Sequence, residues 1–250
     1  MLRSRIIPSL LLHEGGLVKT TRFSDPKYVG DPINAVKIFN EKEVDELTFF
    51  DIDASFNKTA PNFKLLQSIA VESRMPLCYG GGVNDARLAS EIINIGFEKV
   101  SISSGAIARP RLIREMAEAI GSQSVVVTID VRKNKFFPGY TVYTHNGKQK
   151  SNIPFLEFCQ HAVQMGAGEI VINSIDRDGV MEGYDLDLAI QLREAIDSPI
   201  TVLGGCGSVN DLQSLIDAVG VVGAAAGSFF VFKGQYRAVL ISYTRPNRLF

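Results

Sequence analysis

Cysteine and histidine are scarce in this 250-residue chain, with three of each: Cys78, Cys159 and Cys206, and His13, His145 and His161. No pair stands at the spacing of a zinc site or a redox motif. Disulfides, structural metal and a Cys–His nucleophile are therefore not expected, and neither is a cofactor. Net charge is almost absent, −1 from 26 basic and 27 acidic residues, so no overall field calls for nucleic acid or an anionic membrane. Long hydrophobic runs are missing as well; Ile6 to Leu12 is far too short to span a bilayer. That run follows Arg3 and Arg5, as a secretory leader would. Pro8 and Ser9 break it, however, no small-residue cleavage site follows, and His13 and Glu14 come too soon. The expectation is a reduced, cytoplasmic, metal-free protein. What is present is ordinary: 46% hydrophobic and 21% charged residues exclude a disordered chain.

Short apolar runs alternate with amphipathic stretches along the whole sequence. Strands are expected at Arg5–Leu12, Glu46–Ile52, Pro76–Tyr79, Lys99–Ser103, Ser124–Val131, Glu169–Ser174, Pro199–Leu203 and Val221–Ala226. They are rich in Val, Ile and Phe and mostly lack alternation, as strands buried on both faces should. Helix patterns lie between them: Asn84 or Asp85 to Gly96, Pro110 to Gly121, and roughly 32–43, 62–73, 153–165, 186–196 and 209–218, with a last one near 234–243. Eight strands each followed by helix-like sequence, in 250 residues without a compositional break, predict a closed (βα)8 barrel over residues 1–250.

The chain also repeats itself. Pro76-Leu-Cys-Tyr-Gly-Gly-Gly-Val-Asn-Asp85 echoes the segment from Pro199 to Asp211. Glu46-Leu-Thr-Phe-Phe-Asp-Ile-Asp53 echoes Glu169-Ile-Val-Ile-Asn-Ser-Ile-Asp176, and both pairs are 123 residues apart. A period near half the chain implies two similar (βα)4 halves, about 1–122 and 123–250, with two matched ends for a two-ended ligand. His13 to Gly30, carrying Lys19, is long for a βα loop and reads as a lid. Between Val131 and Lys150, turn signals flank the β-rich Tyr140–Thr144, predicting an inserted hairpin. Its five cations (Arg132, Lys133, Lys135, Lys148 and Lys150) are either a solvated loop or an anion-attracting rim.

Three groups of residues have chemical potential. Gly80-Gly81-Gly82 and Gly204-Gly205-Cys206-Gly207 end the third and seventh strands. Ser103-Ser104-Gly105 and Ala226-Gly227-Ser228 end the fourth and eighth. Bare backbone N–H groups with hydroxyls beside them suit phosphate, and the two paired sets follow the internal repeat. Carboxylates form the second group: Asp51 and Asp53, Asp130, and Asp176 and Asp178 stand at strand ends. Asp130 closes an apolar run and is the best candidate for proton transfer, whereas Asp53 and Asp178 suit caps or loop bonds. Third, Arg5, Glu46, Lys99 and Glu169 begin four strands at the opposite rim. They are either a neutral ring across the barrel floor or four solvated strand ends.

The two-half pattern, Lys19, Gly80-Gly81-Gly82, Asp130, and Ser174-Ile-Asp-Arg-Asp-Gly179 followed by Gly183-Tyr-Asp185 closely resemble the HisF family, the cyclase subunit of imidazole glycerol phosphate synthase. The likeness runs from Arg5 to Phe229. It implies a HisH-like glutaminase partner docked on the barrel floor, ammonia passing along the barrel axis, and lyase and cyclisation chemistry on a ligand held by two phosphates. Arg5, Glu46, Lys99 and Glu169 are then the ammonia gate. Gly82, Ser103, Ser104, Asp178, Gly179, Gly205, Gly227 and Ser228 hold substrate and phosphate, Lys19 belongs to the lid, and Asp130 is the catalytic acid–base.

One departure outweighs these matches. The family's first strand ends in a second essential aspartate, and the aligned residue here is Leu11. Ser103 stands for an asparagine, Asn173 for a threonine and Ser9 for a cysteine. Leucine cannot move a proton, and loss of a general acid or base typically costs about 10²–10⁴ in rate. Glu14 or His13 could substitute only from displaced positions. A retained gate with a damaged cyclisation site is similar to the HisF homologues of polysaccharide pathways. These are thought to supply ammonia, with a glutaminase and a sugar amidotransferase, for acetamidino groups on lipopolysaccharide O-antigen sugars. A true histidine-pathway cyclase and an inert barrel that binds a bis-phosphate ligand are the alternatives.

Overall fold

The computed structural model describes residues 3–57 and 59–246. Eight parallel strands close into a barrel: β1 (Arg5–His13), β2 (Leu47–Asp51), β3 (Leu77–Gly80), β4 (Lys99–Ile102), β5 (Val125–Lys133), β6 (Glu169–Ser174), β7 (Ile200–Leu203) and β8 (Gly223–Ala226). Each pairs with its sequence neighbour, and β8 returns to β1 with Arg5 opposite Gly223. Seven outer helices separate them: α1 (Pro32–Glu41), α2 (Phe63–Glu72), α3 (Ala86–Ile95), α4 (Arg111–Ile120), α5 (Phe155–Gln164), α6 (Leu186–Ala195) and α7 (Val209–Val219). Asp31, Asn62, Asp85, Asp185 and Ser208 cap five of them by accepting a backbone N–H three residues on. Among the described residues, no helix is long and apolar enough to cross a membrane.

Strand alternation sorts the side chains into two cores. Outward residues such as Ile6, Leu10, Leu47, Phe49, Val100, Ile129 and Ile172 pack beneath the helices. Inward residues Ile7, Cys78, Val126, Val171, Leu203 and Ala225 fill the barrel interior, with Phe50 packed against them.

The seven earlier helices match the sequence reading to within a few residues, but the expected helix near 234–243 does not form. Phe232–Lys233 and Ala238–Val239 make a small antiparallel hairpin instead, through a turn with Gly234 and Arg237 at positive φ. The chain then runs extended, with the Leu240 and Ser242 amides donating to the Val231 and Phe230 carbonyls at 2.8 Å each. Ile241 and Tyr243 pack against the core two residues apart, which is the period of a strand and not of a helix. The long loop after β1 is an ordered antiparallel hairpin, Gly16–Thr21 with Ser24–Gly30. The expected hairpin between Val131 and Lys150 forms from Tyr140–Thr144 and Gln149–Lys150, and its first strand extends the β5 ladder beyond the barrel.

Candidate functional site

Alternation along β5 sends Val126, Thr128 and Asp130 inward, and Asp130 emerges at the C-terminal mouth, where the strand ends open into one cavity. That cavity is open to solvent and draws its lining from all eight strands. Asp130, Lys19, Gly82, Ser103, Ser104, Asp178, Gly179, Gly205, Gly227 and Ser228 all line it, and so does Leu11. The fold thus brings together every mouth residue that the resemblance assigned to catalysis or to substrate and phosphate.

Asp130 accepts a hydrogen bond from Asn173 Nδ2 at 2.9 Å. Burial pushes its carboxyl up to about 7 despite that bond, and the nearby Asp178 adds to the rise. Lys19 is buried, and its ammonium donates to the Ser9 carbonyl. Burial lowers its pKa to about 8, against the opposing pull of Asp178. Asp178 Oδ2 in turn accepts from Thr20 Oγ1 at 2.7 Å and the Phe23 amide at 3.1 Å, which latches the first hairpin over the mouth.

Glycine is required at two points of this cavity. Gly205 (φ +109°) passes so close to Gly183 that a Cβ would lie 2.1 Å from its carbonyl oxygen. Gly179 (φ +66°) abuts the lid, and a Cβ there would lie 2.1 Å from Thr20 O. Gly179→Ala is expected to unseat the hairpin and raise protease cleavage between residues 14 and 30 several-fold. An unchanged digestion pattern would show that the Asp178–Gly179 turn does not seat the lid.

Several polar candidates serve elsewhere. Asp53 accepts from the Glu14 amide at 2.7 Å and pairs with His13 Nδ1 at 2.8 Å, and neither His13 nor Glu14 lines the cavity. Asp51 lines the cavity and also caps the turn that follows it, accepting from the Asp53 and Ala54 amides. Asp176 accepts from the Lys133 amide at 2.9 Å. Of the five hairpin cations none lines the cavity; Lys133 pairs with Asp187 and Arg132 lies over the Tyr143 ring.

The sequence reading missed His145 and Asn146. This left-handed turn crosses the mouth, with the His145 amide donating to Ser104 Oγ at 3.2 Å and Asn146 Nδ2 to the Ile52 carbonyl at 2.7 Å. The His-Asn-Gly run marked a turn, but its reach depends on the register of the hairpin against β5.

At the opposite end the four charged strand starts meet as a closed ring. Arg5 bonds Glu46 and, at 2.6 Å, Glu169, while Lys99 reaches both carboxylates at 2.8 Å. This decides against four solvated ends. Burial works against the charges of Glu169, Arg5 and Lys99, but their opposite charges more than offset it: Glu169 is held down to about 2, and Arg5 and Lys99 stand above their ordinary values. A narrow apolar space runs from Glu46 and Glu169 past Cys78 and Val126 to Ser9, Phe50 and Leu203, which also line the mouth cavity.

The histidine biosynthesis protein family matches residues 5–237 of the chain. A protein of Leptospira interrogans, provisionally named imidazole glycerol phosphate synthase subunit HisF, is 54% identical over 248 residues, covering 99% of this chain and 97% of its own. The similarly provisional hisF2 of Pseudomonas aeruginosa is 49% identical over 249 residues, covering 100% and 99%. The imidazole glycerol phosphate synthase subunit HisF of Petrotoga mobilis is 38% identical over 238 residues, covering 95% and 94%.

Proposed function

Because this chain belongs to the histidine biosynthesis protein family, in its HisF branch, we propose that it is an ammonia-conducting barrel subunit working with a HisH-like glutaminase subunit on its N-terminal face. Ammonia enters past the Arg5–Glu46–Lys99–Glu169 ring, whose charges cancel, and crosses the apolar interior in its neutral form. At the mouth, Gly82 and Ser104 form one anion cradle. Gly205, Gly227 and Ser228, with Lys19 beside them, form the other, and Asp130 is the proton-transfer group between them. Asp178 and Gly179 hold the lid shut over the bound phosphorylated ligand.

The observation that carries this reading is Leu11. It faces the cavity from β1, where a two-carboxylate cyclase would need its second acid. A complete ring with an incomplete cyclisation centre fits delivery of ammonia better than histidine-pathway turnover. We place the protein in the cytoplasm, supplying ammonia with a sugar amidotransferase for amidino groups on a surface polysaccharide. A second reading, a true cyclase, is favoured by one feature: the Asp178 carboxyl faces the same cavity and influences Asp130.

Turnover of the phosphoribulosyl histidine intermediate with ammonium salts separates these readings. Wild type is expected to show little turnover, and Leu11→Asp to raise it by about 10²-fold or more. Full wild-type turnover would establish the cyclase reading. Failure of the chain to activate any glutaminase would leave a barrel that only binds a bis-phosphate.

A further inference from the structure

The exposed aromatic side chains among the described residues all stand at the C-terminal end of the barrel. Phe136 (88% exposed) and Phe137 (77%) tip the hairpin that extends β5, Tyr28 (65%) lies on the lid, and Tyr236 (89%) on the small hairpin after β8. Every other phenylalanine with a described side chain is buried or half-buried. Single exposed apolar residues need no explanation, but aromatics gathered around one opening mark an interface.

The phenylalanine pair is held in place. The Asn134 amide donates to the Gly139 carbonyl at 3.0 Å, and Asn134 Oδ1 accepts from the Thr141 hydroxyl at 2.6 Å, which closes the loop beneath the two rings. A loop already fixed in shape pays little ordering entropy when a partner grips it. Asp130 stands opposite Tyr143 and Lys133 opposite Tyr140, so the hairpin carries this tip roughly 10 Å beyond Asp130. The other end of the same hairpin is the His145–Asn146 turn over the mouth.

Across the barrel from β5, Arg237 Nη2 donates to the Gly179 carbonyl at 3.1 Å, and the Arg237 carbonyl accepts from Lys27 Nζ at 3.4 Å. These bonds set Tyr236 and the lid strand of Tyr28 beside the same opening. The four rings together expose roughly 600 Å², against about 800 Å² that one partner buries in a standard interface. Charge narrows the choice of occupant. Residues 131–150 hold five cations and no acid. Lys133 is paired with Asp187, whereas Lys135 and Lys150 are exposed and make no ion pair with any described residue. A second copy of this chain would bring like charges together here, and a net charge of −1 gives no general pull toward an anionic bilayer.

We propose that this aromatic rim is the docking surface for the enzyme that consumes the ammonia, a protein offering apolar pockets to Phe136 and Phe137 and carboxylates to the cations of the β5 hairpin. The proposal rests on the conducting role given above, because a partner seated across the mouth takes up ammonia that would otherwise escape to solvent.

The test uses the purified full-length chain, its glutaminase subunit and the sugar amidotransferase of the same cell. Binding of the amidotransferase is measured first, then amidination driven either by glutamine or by ammonium chloride. Phe136→Ser with Phe137→Ser is expected to weaken binding by about tenfold or more. Glutamine-driven product at limiting amidotransferase should fall by a similar factor, with glutaminase activation and ammonium-driven product unchanged and thermal melting confirming the fold. Lys135→Glu should weaken binding at low salt and flatten its salt dependence. Unaltered binding in the phenylalanine variant, or an amidotransferase that binds neither form, would overturn the docking surface, while glutaminase activation by wild type keeps conduction standing. No activation by wild type would overturn both. Wild-type binding to phosphatidylglycerol vesicles, or self-association, that the phenylalanine variant abolishes would assign the rim to a membrane or to a second copy and overturn the proposal.

Discussion

Asp130→Asn is expected to stabilise the protein at pH 8 while removing any cyclisation it performs. The carboxyl is buried and its pKa rises from 3.8 to about 7 in the folded chain, so folding disfavours its ionised form. For an acid raised in this way, stability is complete below the unfolded value and declines as pH climbs from about 4 to about 7, after which the loss is constant. Asparagine keeps an oxygen for the Asn173 bond, carries no charge, and removes the repulsion from Asp178. At about 1.36 kcal/mol for each pKa unit, less the cost of the new amide donor, the gain is about 3 kcal/mol at pH 8 and small at pH 4.5. Urea midpoints of the two proteins at both pH values check this. An equal gain at both would show that Asp130 is not held in its protonated form by burial. Turnover, where present, should fall by about 10²–10⁴, since asparagine cannot exchange the proton. A residue whose removal steadies the fold is retained at a cost in stability, as expected of a group kept for its chemistry.

That such a group stands at the mouth was legible because strand periodicity alone fixes which residues face inward. The run before Asp130 gave the strand, and the barrel then placed its end. The two glycine sets and the four charged strand starts followed by the same logic, since each set begins at or next to a strand terminus. The remaining features depend on contacts between distant segments. Nothing local distinguishes Asn173 from a polar strand residue; its meaning comes from Asp130, 43 positions away on β5. The His145–Asn146 turn closes the mouth only because Tyr140–Thr144 continues the β5 ladder. The helix expected near 234–243 failed for a related reason. Val239, Ile241 and Tyr243 are as compatible with an extended segment as with a weak helix, and in the fold the Phe230 and Val231 carbonyls take up the extended backbone.

Glu169→Gln is expected to cost about 3–5 kcal/mol, because it breaks a buried ion network from one side. Glu169 holds Arg5 at 2.6 Å, Lys99 at 2.8 Å and the Thr201 hydroxyl, and its side chain is nearly excluded from solvent. Glutamine leaves two cations facing Glu46 alone, a net positive collar at the narrow end of the barrel. The pH dependence has the opposite sign from that of Asp130. Glu169 is depressed from 4.5 to about 2, so its contribution is full above pH 4.5 and is lost as pH falls from there toward 2. The gap between wild type and Glu169→Gln should therefore be widest near neutrality and close progressively in acid, which urea midpoints at pH 7 and pH 3 would reveal. A gap unchanged at pH 3 would mean that Thr201 packing, and not charge, makes the ring rigid. A quadruple variant with Arg5, Glu46, Lys99 and Glu169 all replaced by apolar residues of similar volume separates stability from transport. Buried networks exchanged whole for well-packed side chains are often no less stable. If that variant folds as well as wild type yet no longer couples to glutamine hydrolysis in a bound glutaminase, the ring is retained for passage. If coupling survives, ammonia does not enter through the ring and the conducting role falls with it.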